Sequence, residues 1–241
     1  MRRSYHFLAA AGLLSLFALA AVAQTPASAG AQNAEALTAA YNQAMQAKDW
    51  PTALAASQQL VSLKATSQNL SFLGTAQSYS GSADMALATY DLALAAAEQE
   101  KPADRQAQGN WKDGLSKIYI GRGNALLKLK RDTEAIDNYN RSAEYAANAG
   151  QAYFNLCAVF YNMGNTKDSA AACRKCVQAD STRANAWFVL GSDLFADLPV
   201  TAQGKVQASP ETREALEKYL ELAPDGPHAA DTKAMLEMIT K

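Results

Sequence analysis

Histidine is nearly missing from this sequence, with two in 241 residues beside three cysteines. His6 lies in an N-terminal stretch that reads as a removable leader, which leaves His228. That residue stands in Pro227-His228, where a last helix should begin, a place for an ordinary surface residue. A Cys-His pair or a Cys/His metal site would have to recruit it across the fold. Glycine and proline are also few, at 13 and 7. β-branched residues are sparse, and no stretch alternates cleanly with period two, which argues against sheets. No glycine-rich phosphate loop is present: Gly121-Arg122-Gly123 opens no strand-to-helix turn and is explained by close packing. Neither sign of charge dominates (formal net −1), so nothing electrostatic points to nucleic acid or an anionic membrane as partner. The carboxylates Glu211, Glu214, Glu217 and Glu221 read as a solvated helix face. Together these absences predict a protein that is not an enzyme, with no catalytic residue, metal or cofactor.

What the chain does have is helix-forming material. Apolar residues make up 49% and charged residues 19%, and Ala, Leu, Gln, Lys and Glu are abundant. Arg2 and Arg3 precede an apolar run from Phe7 to Ala20, and Ala21-Val22-Ala23 supplies the small residues a signal peptidase requires. Residues 1–23 are therefore expected to be a secretory signal, too short for a stable membrane span. The Arg pair leaves both the general secretory and the twin-arginine routes open. No Cys follows the cleavage site, so a chain without a lipid anchor is expected, exported to a periplasm or secreted, soluble and without a membrane span. Residues 24–33 (QTPASAGAQN) are small and polar and predict a disordered tether. Residues 34–241 remain for the folded part, as amphipathic helices of about 13 residues with short breaks.

Internal periodicity decides the fold class. Tyr119, Tyr153 and Trp187 are spaced by 34 residues and 34 again; Gly123, Cys157, Gly191 and Ile120, Phe154, Phe188 keep the same interval. Leu73-Gly74 is followed by Ala86, Tyr90 and Ala93, and the Ala-x3-Tyr pattern returns in Ala135/Tyr139 and Ala215/Tyr219. These residues resemble the tetratricopeptide-repeat (TPR) family, whose pattern is an aromatic, then Leu-Gly, then a later Ala-x3-aromatic-x2-Ala. Trp187-x2-Leu190-Gly191 is the best short match. The resemblance covers nearly all of residues 34–223. It implies an all-α solenoid of about five helix-turn-helix repeats, at roughly 34–66, 67–100, 116–149, 150–183 and 184–223. Two insertions interrupt the period, Glu98 to Asp113 and the stretch DLPVTAQGKVQASP, and Pro227 to Lys241 suits a C-terminal capping helix.

The resemblance also implies a concave groove, lined by the first helix of each repeat, that binds segments of other proteins. By position, Ile120, Phe154 and Phe188 form one row of its wall, and Leu127, Tyr161 and Phe195 a second. Asn124 and Asn155 stand beside them. The alternative is that these aromatics pack between repeats or under the last helix. Some members of the family clamp a C-terminal carboxylate with two Asn and three basic residues. Asn124 and Asn155 fall at the Asn positions, but the basic positions hold Ile120, Asn185 and Val189, so the charge-assisted bonds are missing and that ligand is rejected. The expected partners are other proteins or peptide segments, in a scaffold or adaptor of a bacterial cell envelope; a homo-oligomer packing its groove on its own copy is a further possibility.

Cys157, Cys173 and Cys176 carry a competing reading as a thiol redox or metal-binding module. Cys157 should oppose Ser169, putting Cys173 a turn away, about 6 Å along the axis, which strains the separation a disulfide tolerates. Cys173-Arg-Lys-Cys176 should lie mid-helix, whereas a redox CxxC works at a helix start. Buried thiols are the favoured reading, ahead of one disulfide and of redox or metal chemistry.

Overall fold

The computed structural model describes residues 26–107 and 110–239. Among the described residues the chain is built of twelve α-helices, and extended pairing is confined to two isolated bridges. The helices are α1 (Pro26–Ala47), α2 (Trp50–Leu63), α3 (Ser67–Tyr79), α4 (Ala83–Gln99), α5 (Pro102–Ala107), α6 (Trp111–Lys128), α7 (Asp132–Tyr145), α8 (Gly150–Asn162), α9 (Thr166–Ala179), α10 (Ala184–Ala196), α11 (Pro210–Leu222) and α12 (Ala229–Met238).

Local chemistry sets the ends of these helices. Asp49, Thr66, Asn110, Asn165 and Ser209 each accept a bond at their side-chain oxygen from the backbone N–H three residues on, satisfying a donor that the helix itself cannot. Pro210 follows Ser209 as the first helical residue, where its missing N–H costs nothing. Inside four hairpins the turn is the same. The N–H groups of Asp49, Ser82, Arg131 and Asn165 bond back to the carbonyls of Ala44, Gln77, Leu126 and Phe160. The residue before each takes a left-handed conformation: Gly81 and Gly164 at φ 88° and 70°, and, against the usual preference, Lys48 and Lys130 at 58° and 62°.

The hairpins α1–α2, α3–α4, α6–α7, α8–α9 and α10–α11 are the five expected repeats, and α12 packs on α11 as the expected cap. First helices touch at two junctions of the stack, α3 on α6 and α8 on α10, contacts that successive second helices do not match. The first helices therefore form the inner, concave layer. The core runs along the stack as a chain of clusters rather than one centre, as a solenoid requires. Ala86, Ala135 and Ala215 are fully buried beside Tyr90, Tyr139 and Tyr219, and Gly74 and Gly123 lie directly under the rings of Tyr90 and Tyr139.

Three features differ from the expectation. Over Pro26–Asn33 the chain is part of α1, not a tether: alanine-rich sequence after a first-position proline is good helix material, and it continues unbroken into the amphipathic part. The leader expected at residues 1–23 lies outside the described residues. The first insertion is structured as the short α5 and an early start of α6. The Arg105 guanidinium donates to the end carbonyls of α4, Ala97 and Glu98 at 3.2 and 3.4 Å, and stands 4.2 Å over the Trp111 ring. The second insertion is tied to the end of the chain. Val206 is fully buried, its N–H bonds the Met238 carbonyl at 2.9 Å, and it pairs with both Val200 and Ile239.

Candidate functional site

On the concave layer, α3 and α6 frame a cavity of about 540 Å³. Its walls are Thr75, Ser78 and Tyr79 from α3, and Lys117, Ile120, Gly121, Asn124, Leu127 and Lys128 from α6. The α6 set recurs every three or four residues and so shares one face. Tyr90 reaches in from α4 because Gly121 makes room: a Cβ there would stand 2.3 Å from the phenol carbon. The Tyr90 hydroxyl bonds the Thr75 hydroxyl at 3.0 Å, and burial pushes its ionisation far above the usual tyrosine range, so it presents a neutral hydroxyl. Tyr139 donates to Asn124 Oδ1 at 2.7 Å, which turns the amide so that its NH₂ is the end left for a ligand. Lys128 donates to the carbonyl and hydroxyl oxygens of Ser78 and lies 5.9 Å from the Tyr79 ring. Tyr79 is 57% exposed yet braced by a stacked Trp50 at 4.8 Å. A second cavity of about 210 Å³ continues the groove toward the helix starts, between Ser71 and Phe72 on one side and Trp111 and Gly114 on the other.

The eight residues expected on the groove divide sharply. Ile120, Asn124 and Leu127 line the cavity together. Phe154 is half-buried with the Arg183 guanidinium 5.6 Å over its ring, and Asn155 accepts a bond from Gln151 at 2.9 Å. Tyr161 is 41% exposed at the end of α8. Phe188 is a correction: it is 7% exposed, packed on Tyr219 and stacked on the His228 imidazole at 3.9 Å. Phe195 is half-buried in a cluster with Val206 and Ile239. The fifth repeat's wall is thus closed by the second insertion and the C-terminal segment, and its aromatics pack there. His228 is likewise no ordinary surface residue, since it covers Phe188. The expectation missed Thr75, Ser78, Tyr79, Tyr90, Lys117 and Lys128. The signal existed, because Thr75 and Ser78 hold in α3 the places that Asn124 and Leu127 hold in α6, but the first insertion throws them out of the 34-residue register.

No protein-family model matches the chain, and no curated protein matches it. Solved structures do. The chain is similar to the MamA protein (15% identity, covering 83% of this chain and 96% of that one, TM-score 0.56). It is similar to YrrB, a TPR protein with an unusual peptide-binding site (17% identity, 80% and 88%, TM-score 0.54). It is also similar to BtubC from P. vanneervenii (13% identity, 90% and 85%, TM-score 0.54). Shared architecture across nearly the whole of each chain, at such low identity, is a likeness of fold. This chain has the TPR fold.

TPR packing explains the cysteines. Cys157 and Cys173 are joined in a disulfide with a Cα separation of 5.0 Å, a sequence separation of 16, which corrects the preference for buried thiols. Gly74 under Tyr90 and Gly123 under Tyr139 are pairs of the same separation. The disulfide therefore fills the place where two other repeats put a ring over a glycine. Ser169 also touches Cys157, donating to its carbonyl at 3.2 Å, but it faces the backbone and leaves the side chain to Cys173. In the fifth repeat the second insertion lengthens the spacing, and Leu216 covers Gly191 instead. Cys176 is unpaired and buried, its thiol pushed up to about 11 by burial and directed at the Gly150 carbonyl. Cys173 is thus paired with Cys157 and not with Cys176 of the CxxC, and among the described residues no three His, Cys, Asp or Glu side chains are grouped to hold a metal ion.

Replacing Cys157 with alanine is expected to lower stability by about 3 kcal/mol, the loop-closure effect of a crosslink of this length. The double change Cys157→Gly, Cys173→Tyr should recover part of that loss by restoring the ring-over-glycine pair. Urea unfolding measures both; a double variant no more stable than the single one contradicts the equivalence.

Proposed function

We propose that the protein is a non-catalytic interaction scaffold whose groove between α3 and α6 accepts a segment of a partner protein. The observation that carries this reading is the cavity itself. It is preformed, has an apolar wall of Ile120 and Leu127, and offers oriented polar groups at Asn124 and Lys128. Such a combination suits a peptide, where apolar side chains give affinity and a few placed polar groups set register. YrrB, of the same fold, is described as having a peptide-binding site, which agrees with a groove of this kind. No bond is made or broken in this mechanism.

The bacterial cell envelope is the setting the chain suits best. The leader-like start ending in Ala21-Val22-Ala23 supports export, and the Cys157–Cys173 disulfide suits an oxidising compartment. Among the described residues no helix is long and apolar enough to cross a membrane.

The test is affinity capture of envelope proteins by the wild-type chain and by a variant carrying Ile120→Arg and Leu127→Arg. Both side chains are half-buried on the groove wall, so the fold should survive, as circular dichroism would register. The expected result is a specific set of captured proteins lost by the variant. Identical capture by a folded variant removes the groove from the function.

A further inference from the structure

The 540 Å³ cavity between α3 and α6 is lined by two lysines and no carboxylate, and Asp113 enters only the smaller cavity that continues it, in a chain of formal net charge −1. Lys117 and Lys128 stand eleven positions apart on one helix. Three turns bring them to the same face, about 16 Å apart along the axis. Neither takes part in an ion pair among the described residues. Asp113 and Asp132 each stand four positions from one of these lysines without pairing with it, and the Asp113 carboxylate accepts from the Ala147 N–H at 2.8 Å and from the Asn110 amide. Ser78 holds the Lys128 ammonium through neutral oxygens, which fixes its place without cancelling its charge. Between the two cations lie Ile120 and Leu127, with Gly121 in the floor.

We propose that this groove binds an extended acidic segment of a partner protein. Two side-chain carboxylates meet Lys117 and Lys128, and an apolar side chain between them rests on Ile120 and Leu127. The inference rests on the groove reading above and adds the chemistry of the partner. An extended strand advances about 3.3 Å per residue and turns alternate side chains to opposite faces, so two acidic residues facing the groove stand about four or six positions apart. Cations separated by three helical turns match two side-chain carboxylates better than the single carboxylate of a chain terminus. The NH₂ of the exposed Asn124 amide is placed to bond the backbone of such a segment.

The experiment is selection from a random peptide library, amidated at the C-terminus, against the purified chain, followed by binding of the selected peptides to variants. The expected peptides carry paired Asp or Glu around an apolar residue. Binding should weaken about tenfold in Lys117→Glu, the order of effect of turning one partly exposed ion pair into a repulsion, and also when the peptide's own Glu are changed to Gln. Lys117 is exposed, so this variant keeps the fold; Lys128→Glu adds a second reading after its melting curve is checked. Peptides without acidic enrichment that Ile120→Arg still abolishes would overturn the acidic partner and leave the groove standing. Peptides indifferent to Ile120→Arg would overturn both.

Discussion

A chain with Tyr90 replaced by alanine is expected to lose about 3–5 kcal/mol of stability, the usual cost of truncating a buried aromatic. The ring is 1% exposed. It stands over Gly74 in its own repeat and over Gly121 in the next, and its hydroxyl bonds Thr75. Removing it opens a void at the junction of α3, α4 and α6, where neither glycine has a side chain to fill it. Because each repeat rests on its neighbours, the stack should part there first and the transition should broaden. Tyr90→Phe keeps the ring and loses one hydrogen bond, at a cost of about 1 kcal/mol. Urea unfolding followed by circular dichroism separates these cases. Equal losses in the two variants would mean that the hydroxyl, not the ring, holds the junction.

Phe188→Ala is expected to cost a comparable amount, about 3–5 kcal/mol, while leaving capture at the groove intact. The physical reason is its cover: His228 stacks on one face and Tyr219 packs beside it. Tyr219 in turn accepts the His228 N–H at 2.9 Å, so one truncation loosens the seat of the whole C-terminal cap. Tyr161→Ala, at an exposed position of the expected groove, should stay within about 0.5 kcal/mol of wild type. If Phe188→Ala melts like Tyr161→Ala, the fifth repeat's wall is open and Phe188 returns to the groove.

The hairpins were legible because their packing has a chemical signature that survives at low identity. Gly123, Cys157 and Gly191, where helices close, recur every 34 residues, and the pairs Ala86/Tyr90 and Ala135/Tyr139 keep their internal spacing across the first insertion. That Ile120, Asn124 and Leu127 share one face, where they line a cavity, followed from the same register. What the sequence hid was where the period breaks. The first insertion shifts α3 out of step, so Thr75, Ser78 and Tyr79 were not matched to Asn124 and Leu127. The second insertion and the chain end meet only in three dimensions, through Val206 and Ile239, and no local pattern announces that they close over Phe195. The disulfide was readable in principle, since Cys157 and Cys173 hold the positions of Gly123 and Tyr139. Placing Cys173 a turn away from Cys157 on the strength of Ser169 hides it, because the two Cα atoms lie only 5.0 Å apart.

Partners held in the groove between α3 and α6 would lie within reach of a reactive group placed there. The most direct measurement places a photo-crosslinking side chain at Asn124, and as control at Asp137, an exposed residue of the outer helix α7. Both chains are illuminated in an envelope extract. The account predicts crosslinks to a specific protein from position 124, suppressed by Ile120→Arg, and none of that species from position 137. Crosslinks of equal yield from both positions, or crosslinks at 124 that Ile120→Arg leaves unchanged, would contradict it.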